Sequence, residues 1–514
     1  MNKPLTKQDL EQIERLGLTE ADIEKQIENF KKGFSKSKIV APATVENGGI
    51  ARLTDNEVSG YIEAYRKLRT DKKILKFVPA SGAATRMFND LYAFTSTYFG
   101  VAHNFEAQFP QVKTFLENLR SFAFFDDLNK SMADAGLDLN DYMSRGDYTA
   151  IINFLLKEQY LGYGKLPKAL IKFHKYGNIQ RTSFEEHIVE GVQYAMSSDG
   201  KVRLHFTISP EHKPLFRKKI AEVKKYYESA FNTEIEIKFS EQKHYTDRLI
   251  VDEYNEPVRD EDGKLIFRPG GHGALIENLN ECRADVIFIK NIDNVAPDWM
   301  KHTTIIYKKV LAGMLLTLQQ KIFGYLEMLD GATTPEQLME CKEFVEQKLH
   351  ASLPEGFDSL RSTAKKKALR GILDRPIRVC GMVKNQGEPG GGPFYTIDTH
   401  GIKSLQIVEP GQVNRKDPEQ DEIFQGGTHF NPVDIVCSTR NRHGRFYDLR
   451  KYVDYSTGFI SKKNKGSSVV KTQELPGLWN GSMAYWNTLF VEVPLATFNP
   501  VKTVNDLLRK EHQG

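Results

Sequence analysis

Apolar residues recur along this chain in two rhythms, and the rhythm changes with position. Over residues 1–70 they follow helical spacing. Residues 202–209 (VRLHFTIS) alternate as in a half-buried strand, and residues 285–289 (DVIFI) are almost all apolar, as in a buried one. Residues 215–231, between those strands, are again helical in pattern. Strands separated by helices indicate the α/β class, with a mostly parallel, doubly wound sheet.

The same pattern divides the 514 residues into regions, because a chain of this length is long for a single core. An N-terminal helical region covers residues 1–70. An α/β domain follows over residues 71–300, and residues 88–160 within it form a helical insertion rich in Phe and Leu. Residues 301–373 are predicted to form another helical insertion. Residues 374–514 change to short strands and Gly/Pro-rich loops, which predicts a mixed α/β C-terminal region.

The composition is that of an ordinary globular protein, with 40% hydrophobic and 11% aromatic residues. The net charge is +4, from 71 basic and 67 acidic residues. A general nucleic-acid binder is usually more strongly basic, so we expect no nucleic-acid partner.

Cysteine spacing and hydropathy limit the cellular compartments in which the protein is expected. The 4 cysteines include no CxxC pair, so neither a zinc knuckle nor a disulfide framework is predicted. The N-terminal residues lack the apolar core of a signal peptide, and no run of 18 apolar residues occurs. We therefore expect a cytoplasmic protein with no membrane partner.

The stretch from Lys73 to Met87, KILKFVPASGAATRM, combines three signals. An apolar run of strand length comes first, a turn of small residues over 79–84 follows, and a helical pattern opens at Met87. Small side chains let a phosphate approach backbone N–H groups, and a helix N-terminus adds partial positive charge. Arg86 adds a planar cation that binds oxyanions. The stretch predicts a phosphate-binding loop, although an ordinary βα turn has the same outline.

Three further segments carry candidate chemistry near predicted strands. Lys168 ends the loop GKLPK just before a strand, and Pro269 opens the glycine-rich turn PGGHG. Asp293 lies in the sequence NIDN, directly after the apolar run at 285–289. Ligands of open α/β sheets bind beyond the carboxyl ends of the strands, which is where these segments are expected. Taken singly, Lys168 reads as a solvated loop lysine, and Asp293 could cap a turn.

In this order, the segments resemble the motifs of the nucleotide-sugar pyrophosphorylases, especially of the branch that makes UDP-sugars. The matching segments are ASGAATRM at 80–87, the Pro-Lys pair ending at Lys168, FSEQ at 239–242, PGGHG at 269–273, NIDN at 291–294 and FNPVKTVNDLL at 498–508. Over its whole length the chain is similar to a bacterial family, the domain of unknown function 4301. The resemblance implies a nucleotide-diphospho-sugar transferase fold, similar to the GT-A type, with residues 374–514 completing the site.

The resemblance also implies a reaction. A nucleoside triphosphate, UTP in the first place, and a sugar 1-phosphate would give a nucleotide-sugar and pyrophosphate, with Mg²⁺ as cofactor. The barrier lies in bringing two polyanions together and in stabilising charge on the leaving pyrophosphate, so the reaction needs cations and positioning rather than a strong base. The motifs leave the sugar, the base and the oligomeric state open.

By the same resemblance, each motif residue receives a role. Arg86 would contact the leaving β- and γ-phosphates, Lys168 the α-phosphate and Lys502 the sugar phosphate, which makes these three the candidate catalytic residues. Asp293 would hold Mg²⁺, which takes one or two carboxylates and leaves its other positions to phosphate and water. The candidate nucleotide-binding residues are Ala80, Ser81, Gly82, Ala83, Ala84, Thr85, Gln242, Gly271, His272 and Gly273.

Two other functions remain open. A glycosyltransferase on the same fold would bind a finished nucleotide-sugar, and Arg86 separates the two, since it has a role only where pyrophosphate leaves. A non-catalytic nucleotide-binding protein is the other, because Ser81 and Ala84 stand where the resembled family has glycines. His272 is expected to be a structural hydrogen-bonding residue, and Trp479 is a further candidate for the sugar pocket.

Overall fold

The computed structural model describes residues 5–102, 104–388, 390–465 and 468–514. The chain forms two compact units, each assembled from stretches that are far apart in sequence. The first unit comprises Met1–Ile74, Glu241–Ile289 and Lys308–Val493, and the second unit comprises Leu75–Ser240, Lys290–Tyr307 and Pro494–Gly514.

Several helices begin at threonine caps that the sequence supplies. Thr6, Thr19, Thr54 and Thr182 each accept a hydrogen bond from the backbone N–H three residues on, and an Asp or Glu side chain at that position bonds back to the threonine. The α-helices are α1 (Lys7–Arg15), α2 (Glu20–Lys32), α3 (Asp55–Leu68), α4 (Asn89–Thr97), α5 (Pro110–Glu117), α6 (Phe125–Asp134), α7 (Leu139–Arg145), α8 (Tyr148–Leu156), α9 (Ser183–Tyr194), α10 (Lys213–Phe231), α11 (Ile276–Glu281), α12 (Lys301–Asp330), α13 (Pro335–Gln347), α14 (Ser362–Leu373) and α15 (Pro418–Gln425).

The strands are short, and many of them are buried along most of their length. They are β1 (Lys38–Pro42), β2 (Ile74–Pro79), β3 (Lys172–Tyr176), β4 (Ile179–Thr182), β5 (Lys201–Thr207), β6 (Glu234–Ser240), β7 (Arg248–Val251), β8 (Phe267–Arg268), β9 (Val286–Ile289), β10 (Ile377–Lys384), β11 (Gly392–Ile397), β12 (Lys403–Val408), β13 (His429–Ser438), β14 (Phe459–Lys465), β15 (Ser468–Glu474) and β16 (Asn487–Glu492).

In the first unit, a ladder of strands runs in the order β16-β10-β13-β9. β10 is parallel to β16 and antiparallel to β13, and β13 is antiparallel to β9. Every residue of β13 is buried, including the polar Asn431 and the charged Asp434. Two smaller sheets have the orders β1-β11-β12 and β14-β15-β7-β8.

In the second unit, β2, β5 and β6 form a parallel ladder in that order. Val78 pairs with Phe206, which pairs in turn with Phe239. Phe206 packs in a hydrophobic core with Phe184 of α9 and Phe216 of α10. Because parallel strands end at the same edge, the loops that follow them lie side by side and can share a ligand.

A helical layer of the second unit packs around an aromatic core. Phe94, Phe115 and Phe124 are fully buried there, in the helical segments between residues 89 and 156. Val501 and Val504, near the end of the chain, are buried in the same core. The C-terminal segment is therefore anchored in this unit by apolar side chains on either side of Lys502.

The α/β class predicted from the alternation of strands and helices is confirmed. Pairing is parallel throughout the β2-β5-β6 ladder, whereas β13 introduces antiparallel pairs in the first unit. Among the helices of the described residues, none combines the length and the hydropathy that a membrane crossing requires.

Candidate active site

The loop over residues 80–85 leaves backbone donors exposed after β2. Ala80 is buried, and its N–H donates to the carbonyl of Thr207 over 2.9 Å. Ser81, Gly82 and Ala83 are exposed, and their N–H groups donate no hydrogen bond to the described part of the chain. These consecutive amides lie between hydrogen-bonded residues and are open to an anionic ligand.

The chain after this loop differs slightly from the sequence prediction. One turn of 3-10 helix runs from Ala84 to Phe88, and the α-helix begins at Asn89, two residues after the predicted Met87. The partial charge of the α-helix N-terminus therefore lies beyond the loop. The Ala84 side chain is buried in the aromatic core, so it does not narrow the space over the exposed amides.

Arg86 is exposed and forms no ion pair with any residue that the structure describes. Thr85 is also exposed, and its hydroxyl donates to the carbonyl of Gly164 over 3.2 Å. The guanidinium of Arg86 is thus available to an anionic ligand without breaking an existing contact.

Lys168 is joined to the loop through its backbone. Its N–H donates to the carbonyl of Gly82 over 3.2 Å, and the N–H of Ala84 donates to the carbonyl of Leu166 over 3.0 Å. The side chain of Lys168 is only 14% exposed, so the interpretation as a solvated loop lysine is wrong. Its Nζ donates to Asp293 Oδ2 over 3.1 Å and to the Val501 carbonyl over 2.7 Å.

Asp293 binds two lysines with one oxygen. Lys502 Nζ lies 3.3 Å from the same Oδ2 that Lys168 contacts, but the Lys502 side chain is 61% exposed. Burial raises the pKa of Asp293, and the charges of Lys168 and Lys502 outweigh that effect, so the pKa lies below its ordinary value. Asp293 is therefore ionised at neutral pH and forms ion pairs rather than a simple turn cap.

The C-terminal segment is bonded to the backbone around Asp293. The N–H of Val501 donates to the Asp293 carbonyl over 3.1 Å, and the N–H of Asn499 donates to Asn294 Oδ1 over 2.9 Å. Further along, the N–H groups of Lys502 and its successor both donate to Asp506 Oδ2, over 2.6 and 2.7 Å. These bonds hold Lys502 beside the carboxylate although the two residues are far apart in sequence.

The buried helix α9 supports the loop that contains Asp293. Ser183 Oγ and His187 Nε2, both on α9, donate to the carbonyl of Ile292, the latter over 3.2 Å. Burial lowers the pKa of His187 well below its ordinary value, and the charge of Lys76 acts in the same direction. The neutral imidazole is therefore a hydrogen-bond donor here. Neither Ser183 nor His187 is among the candidate site residues that the sequence indicates.

Glu190, one turn further along α9, forms ion pairs with two buried lysines. Its carboxylate lies 2.9 Å from Lys76 Nζ and 2.8 Å from Lys290 Nζ. The side chains are almost completely inaccessible to solvent. Burial raises the pKa of Glu190, but the two lysines lower it well below its ordinary value. This ion triad fixes α9 to the middle of β2 and to the segment that leads to Asp293.

The glycine-rich turn at 271–273 belongs to the first unit. Gly271 has φ of 79°, and a Cβ at Gly273 would lie 2.1 Å from the carbonyl of Pro476, so both positions require glycine for the turn itself. His272 Nδ1 accepts from the N–H of Leu478 over 3.1 Å, and its ring stacks on Trp479 with centroids 4.3 Å apart.

The surroundings of His272 keep the ring neutral. Burial lowers its pKa, and the carboxylates of Glu409 and Glu474 oppose that shift without reversing it. Gln242, also in the first unit, donates from Nε2 to Thr246 Oγ1 over 3.2 Å. A Cβ at Gly270 would lie 2.5 Å from the Thr246 carbonyl. Gln242 and the glycine-rich turn therefore both contact Thr246.

The donor set around Asp293 is compatible with Mg²⁺. In the described residues no group of three His, Cys, Asp or Glu side chains could enclose a metal by itself. Both lysine contacts fall on Oδ2, and no hydrogen bond from the described chain reaches Oδ1. One free carboxylate oxygen beside a phosphate-binding loop suits an ion that takes most of its ligands from phosphate and water.

The chain belongs to the family described as Domain of unknown function (DUF4301), whose model matches residues 6–513. A search of curated proteins gave no match.

Solved structures of UDP-sugar pyrophosphorylases are similar to this chain at low identity. The uridine diphosphate N-acetylglucosamine pyrophosphorylase of Trypanosoma brucei has 11% identity and a TM-score of 0.48, over 95% of this chain and 75% of that chain. A mutant UDP-glucose pyrophosphorylase of Leishmania major has 14% identity and a TM-score of 0.44, over 98% and 79%. A UDP-glucose phosphorylase of Trypanosoma brucei has 14% identity and a TM-score of 0.40, over 98% and 80%.

Proposed function

We propose that this protein is a nucleotidyltransferase that joins a nucleoside triphosphate and a sugar 1-phosphate to give a nucleotide-sugar and pyrophosphate. The observation that carries the proposal is one continuous set of contacts in the second unit. The exposed amides of the 80–85 loop are bonded to the Lys168 backbone, and Lys168 and Lys502 share Asp293. Cations and amides gathered around one carboxylate suit a triphosphate and a phosphate nucleophile.

Each group has a defined task in this proposal. The amides of Ser81, Gly82 and Ala83 and the guanidinium of Arg86 would bind the β- and γ-phosphates and stabilise the charge of the leaving pyrophosphate. Lys168 would contact the α-phosphate. Lys502, the more exposed lysine, would orient the sugar phosphate, whose oxygen is already an anion near neutral pH and attacks without a strong base.

Asp293 would be the protein ligand of Mg²⁺. When bound, the ion would supply positive charge that offsets the charge of the phosphates. The lysines keep the Asp293 carboxylate ionised and hold its position, so it is ready to accept a divalent cation at neutral pH.

The fold we assign is the nucleotide-diphospho-sugar transferase type, similar to GT-A. UTP is the first candidate substrate, because the motifs resemble the UDP-sugar branch of the pyrophosphorylases. By the resemblance, Gln242 and the turn at 271–273 are the candidates for contact with the base, and the neutral His272 ring is a packing and hydrogen-bonding element of that turn. A cytoplasmic location is part of the same proposal, since nucleoside triphosphates and sugar phosphates are found there.

A pyrophosphate-release assay tests the proposal. The purified chain is incubated with Mg²⁺, each of the common nucleoside triphosphates and a panel of sugar 1-phosphates. We expect release with one pairing, and loss of release in Asp293→Ala and Lys502→Ala while thermal unfolding stays cooperative. Lys510→Ala is the matched control, because Lys510 is an exposed lysine of the same C-terminal segment. Full activity in either site variant, or no turnover across the panel, would refute the assignment.

Calorimetry separates this function from its two alternatives. The proposed enzyme binds UTP with Mg²⁺ and turns it over. A GT-A-type glycosyltransferase would bind a UDP-sugar and not UTP, and a non-catalytic nucleotide-binding protein would bind UTP and release no pyrophosphate. Arg86 favours the first, because an exposed arginine with no ion-pair partner among the described residues has a task where pyrophosphate leaves.

A further inference from the structure

A cavity of about 490 Å³ lies within the first unit. Its walls come from residues 48–61, helix α12, the end of α13 with the residues that follow it, and strands β12 and β16. The described lining residues include none of those assigned above to nucleotidyl transfer. The volume falls within the range of small-molecule sites, roughly 300–1,000 Å³.

The floor of this cavity is apolar. Leu318, Phe344, Leu405 and Phe490 contribute to it, and each of these side chains is buried in the protein. Such a surface releases water when an apolar group covers it, so it favours a ligand with a hydrocarbon body.

The rim of the cavity is cationic. Arg52 lines it, and its guanidinium is engaged by Glu492, with Nε 2.5 Å from Oε2. Lys321 lies over the Phe344 ring, 5.5 Å from the centroid. Within the described residues, neither Lys321 nor Lys348 forms an ion pair with a carboxylate. Both lysines line the cavity with exposed side chains that have no paired carboxylate among the described residues.

The carboxylate that lines this cavity is committed elsewhere. Glu57 Oε2 accepts hydrogen bonds from the N–H and the hydroxyl of Thr54, both over 2.8 Å, at the start of α3. These bonds lower the pKa of Glu57 and hold its side chain at the helix cap. Glu57 therefore stays ionised at the cap, and the two positive charges of Lys321 and Lys348 exceed its single negative charge.

His350 completes the rim. Its backbone has a φ of 52°, and Nδ1 lies 3.4 Å from the hydroxyl of Tyr395, which fixes the orientation of the ring. Burial lowers the pKa of His350, and the charges of Lys403 and Lys348 lower it further. A negative charge placed beside this ring would act against the lysines and raise its pKa.

We propose that this cavity binds a small organic anion with an apolar body, of the aryl or alkyl carboxylate class. The head group would contact Lys348 and Lys321, and the body would pack against Leu318, Phe344 and Phe490. A polyphosphate suits the cavity less well, because the apolar floor cannot compensate several desolvated charges.

Calorimetry on the full-length protein tests the proposal with matched probes. 1-Naphthoate supplies the ring and the charge, 1-naphthalenemethanol the ring without the charge, and inorganic phosphate the charge without the ring. We expect 1-naphthoate to bind about tenfold more tightly than the alcohol, as one charge-assisted hydrogen bond predicts. Equal binding of the two ring compounds, or tighter binding of phosphate, would overturn the proposal.

Lys348→Met locates the site, because methionine keeps an aliphatic side chain and removes the charge. We expect this variant to weaken 1-naphthoate binding about tenfold and to leave the alcohol unaffected. Lys367→Met is the control, since Lys367 is an exposed lysine of α14 that does not line the cavity. Unchanged affinity in Lys348→Met, or equal loss in both variants, would contradict the assignment.

A proton NMR titration of His350 gives a second readout, in which the effect of the ligand is measured on the wild-type protein. The resonance is assigned by its disappearance in His350→Gln. We expect the pKa of His350 to rise when 1-naphthoate is bound and to stay unchanged with 1-naphthalenemethanol. An identical titration with and without 1-naphthoate would refute the proposal, whatever the protein does with nucleotides.

Discussion

His187 donates a hydrogen bond from Nε2 to the carbonyl oxygen of Ile292 over 3.2 Å, and the next residue of the chain is Asp293. Ser183 donates to the same carbonyl from the same helix. Helix α9 thus fixes the backbone of the loop, while Lys168 and Lys502 fix the carboxylate. The geometry of the candidate site is set before any substrate arrives, which lowers the entropic cost of organising it.

His187→Leu removes one of the two donors to the Ile292 carbonyl. We expect pyrophosphate release to fall about 10- to 100-fold, because small displacements of a positioning group have effects of that size. The loss of one buried hydrogen bond should also reduce the free energy of unfolding by about 1–3 kcal/mol. Assays below the unfolding temperature separate the two effects.

His187→Gln is the control for that experiment, because its amide can still donate toward the Ile292 carbonyl. Partial rescue of release relative to His187→Leu would support a positioning role. If both variants retain wild-type kcat and KM, His187 contributes to packing alone.

Polar residues recur along α9 at helical spacing, and this pattern shows what the sequence could and could not reveal. Ser183, Glu186, His187 and Glu190 lie on one stripe of the helix, and all four are buried. Their partners come from distant segments, such as Lys290 on Glu190, 100 residues away. Local periodicity identifies a polar stripe, but it does not identify the long-range partners that bury it.

The strands and the loop beside the site were more predictable. The sequence predicts β2, β5 and β9, because alternation or a continuous apolar run is a local signal. The burial of Lys168 could not be predicted from its local sequence. The groups that accept hydrogen bonds from its ammonium lie 125 and 333 residues further along the chain. Cysteine, charge and hydropathy patterns limited the class of protein without locating this contact.

Lys168 and Lys502 contact the same oxygen and should differ in their effect on stability. Lys168→Met leaves a mostly buried Asp293 and the Val501 carbonyl without their donor, so we expect a loss of about 1–3 kcal/mol in the free energy of unfolding. Lys502→Met removes an ion pair whose lysine is 61% exposed, and such pairs contribute about 0–1 kcal/mol. Thermal and urea denaturation measure the difference.

A double-mutant cycle controls that comparison. The combination of Asp293→Asn with Lys168→Met should cost less than the sum of the single variants, because each single change already breaks the pair. Additive losses would mean that the two side chains are not coupled in solution.

Arg86→Met should leave the stability unchanged, because the side chain is exposed and has no ion-pair partner in the described residues. We expect the affinity for UTP with Mg²⁺ to fall about tenfold or more, since a guanidinium–phosphate contact is a strong charge-assisted bond. UMP lacks the β- and γ-phosphates, so its affinity should not change. Calorimetric titrations of both nucleotides, with Arg86→Lys as the variant that retains a charge, provide the measurement. Equal weakening of UMP and UTP binding would contradict the assignment of Arg86.

His512 should make the stability of the protein depend on pH. Its side chain is buried, its ring stacks on His174, and its Nδ1 lies 2.9 Å from His174 Nε2. Burial lowers the pKa of His512 to about 3, and the neighbouring His174 and Arg509 contribute to the shift. In the unfolded chain a histidine titrates near 6.5. The neutral ring is therefore favoured in the folded state.

Between pH 6.5 and pH 3 the unfolded chain binds a proton at His512 that the folded chain does not bind. The free energy of unfolding should consequently decrease as the pH falls through this window, by up to about 1.4 kcal/mol per pH unit, and His512 should contribute no slope above it. Denaturation from pH 8 to pH 4.5 should give a shallower slope for His512→Asn than for the wild type. His244→Asn, which changes a histidine with a 70% exposed side chain, should retain the wild-type slope. Parallel curves for wild type and His512→Asn would show that the buried histidine pair does not govern the acid sensitivity of the C-terminal segment.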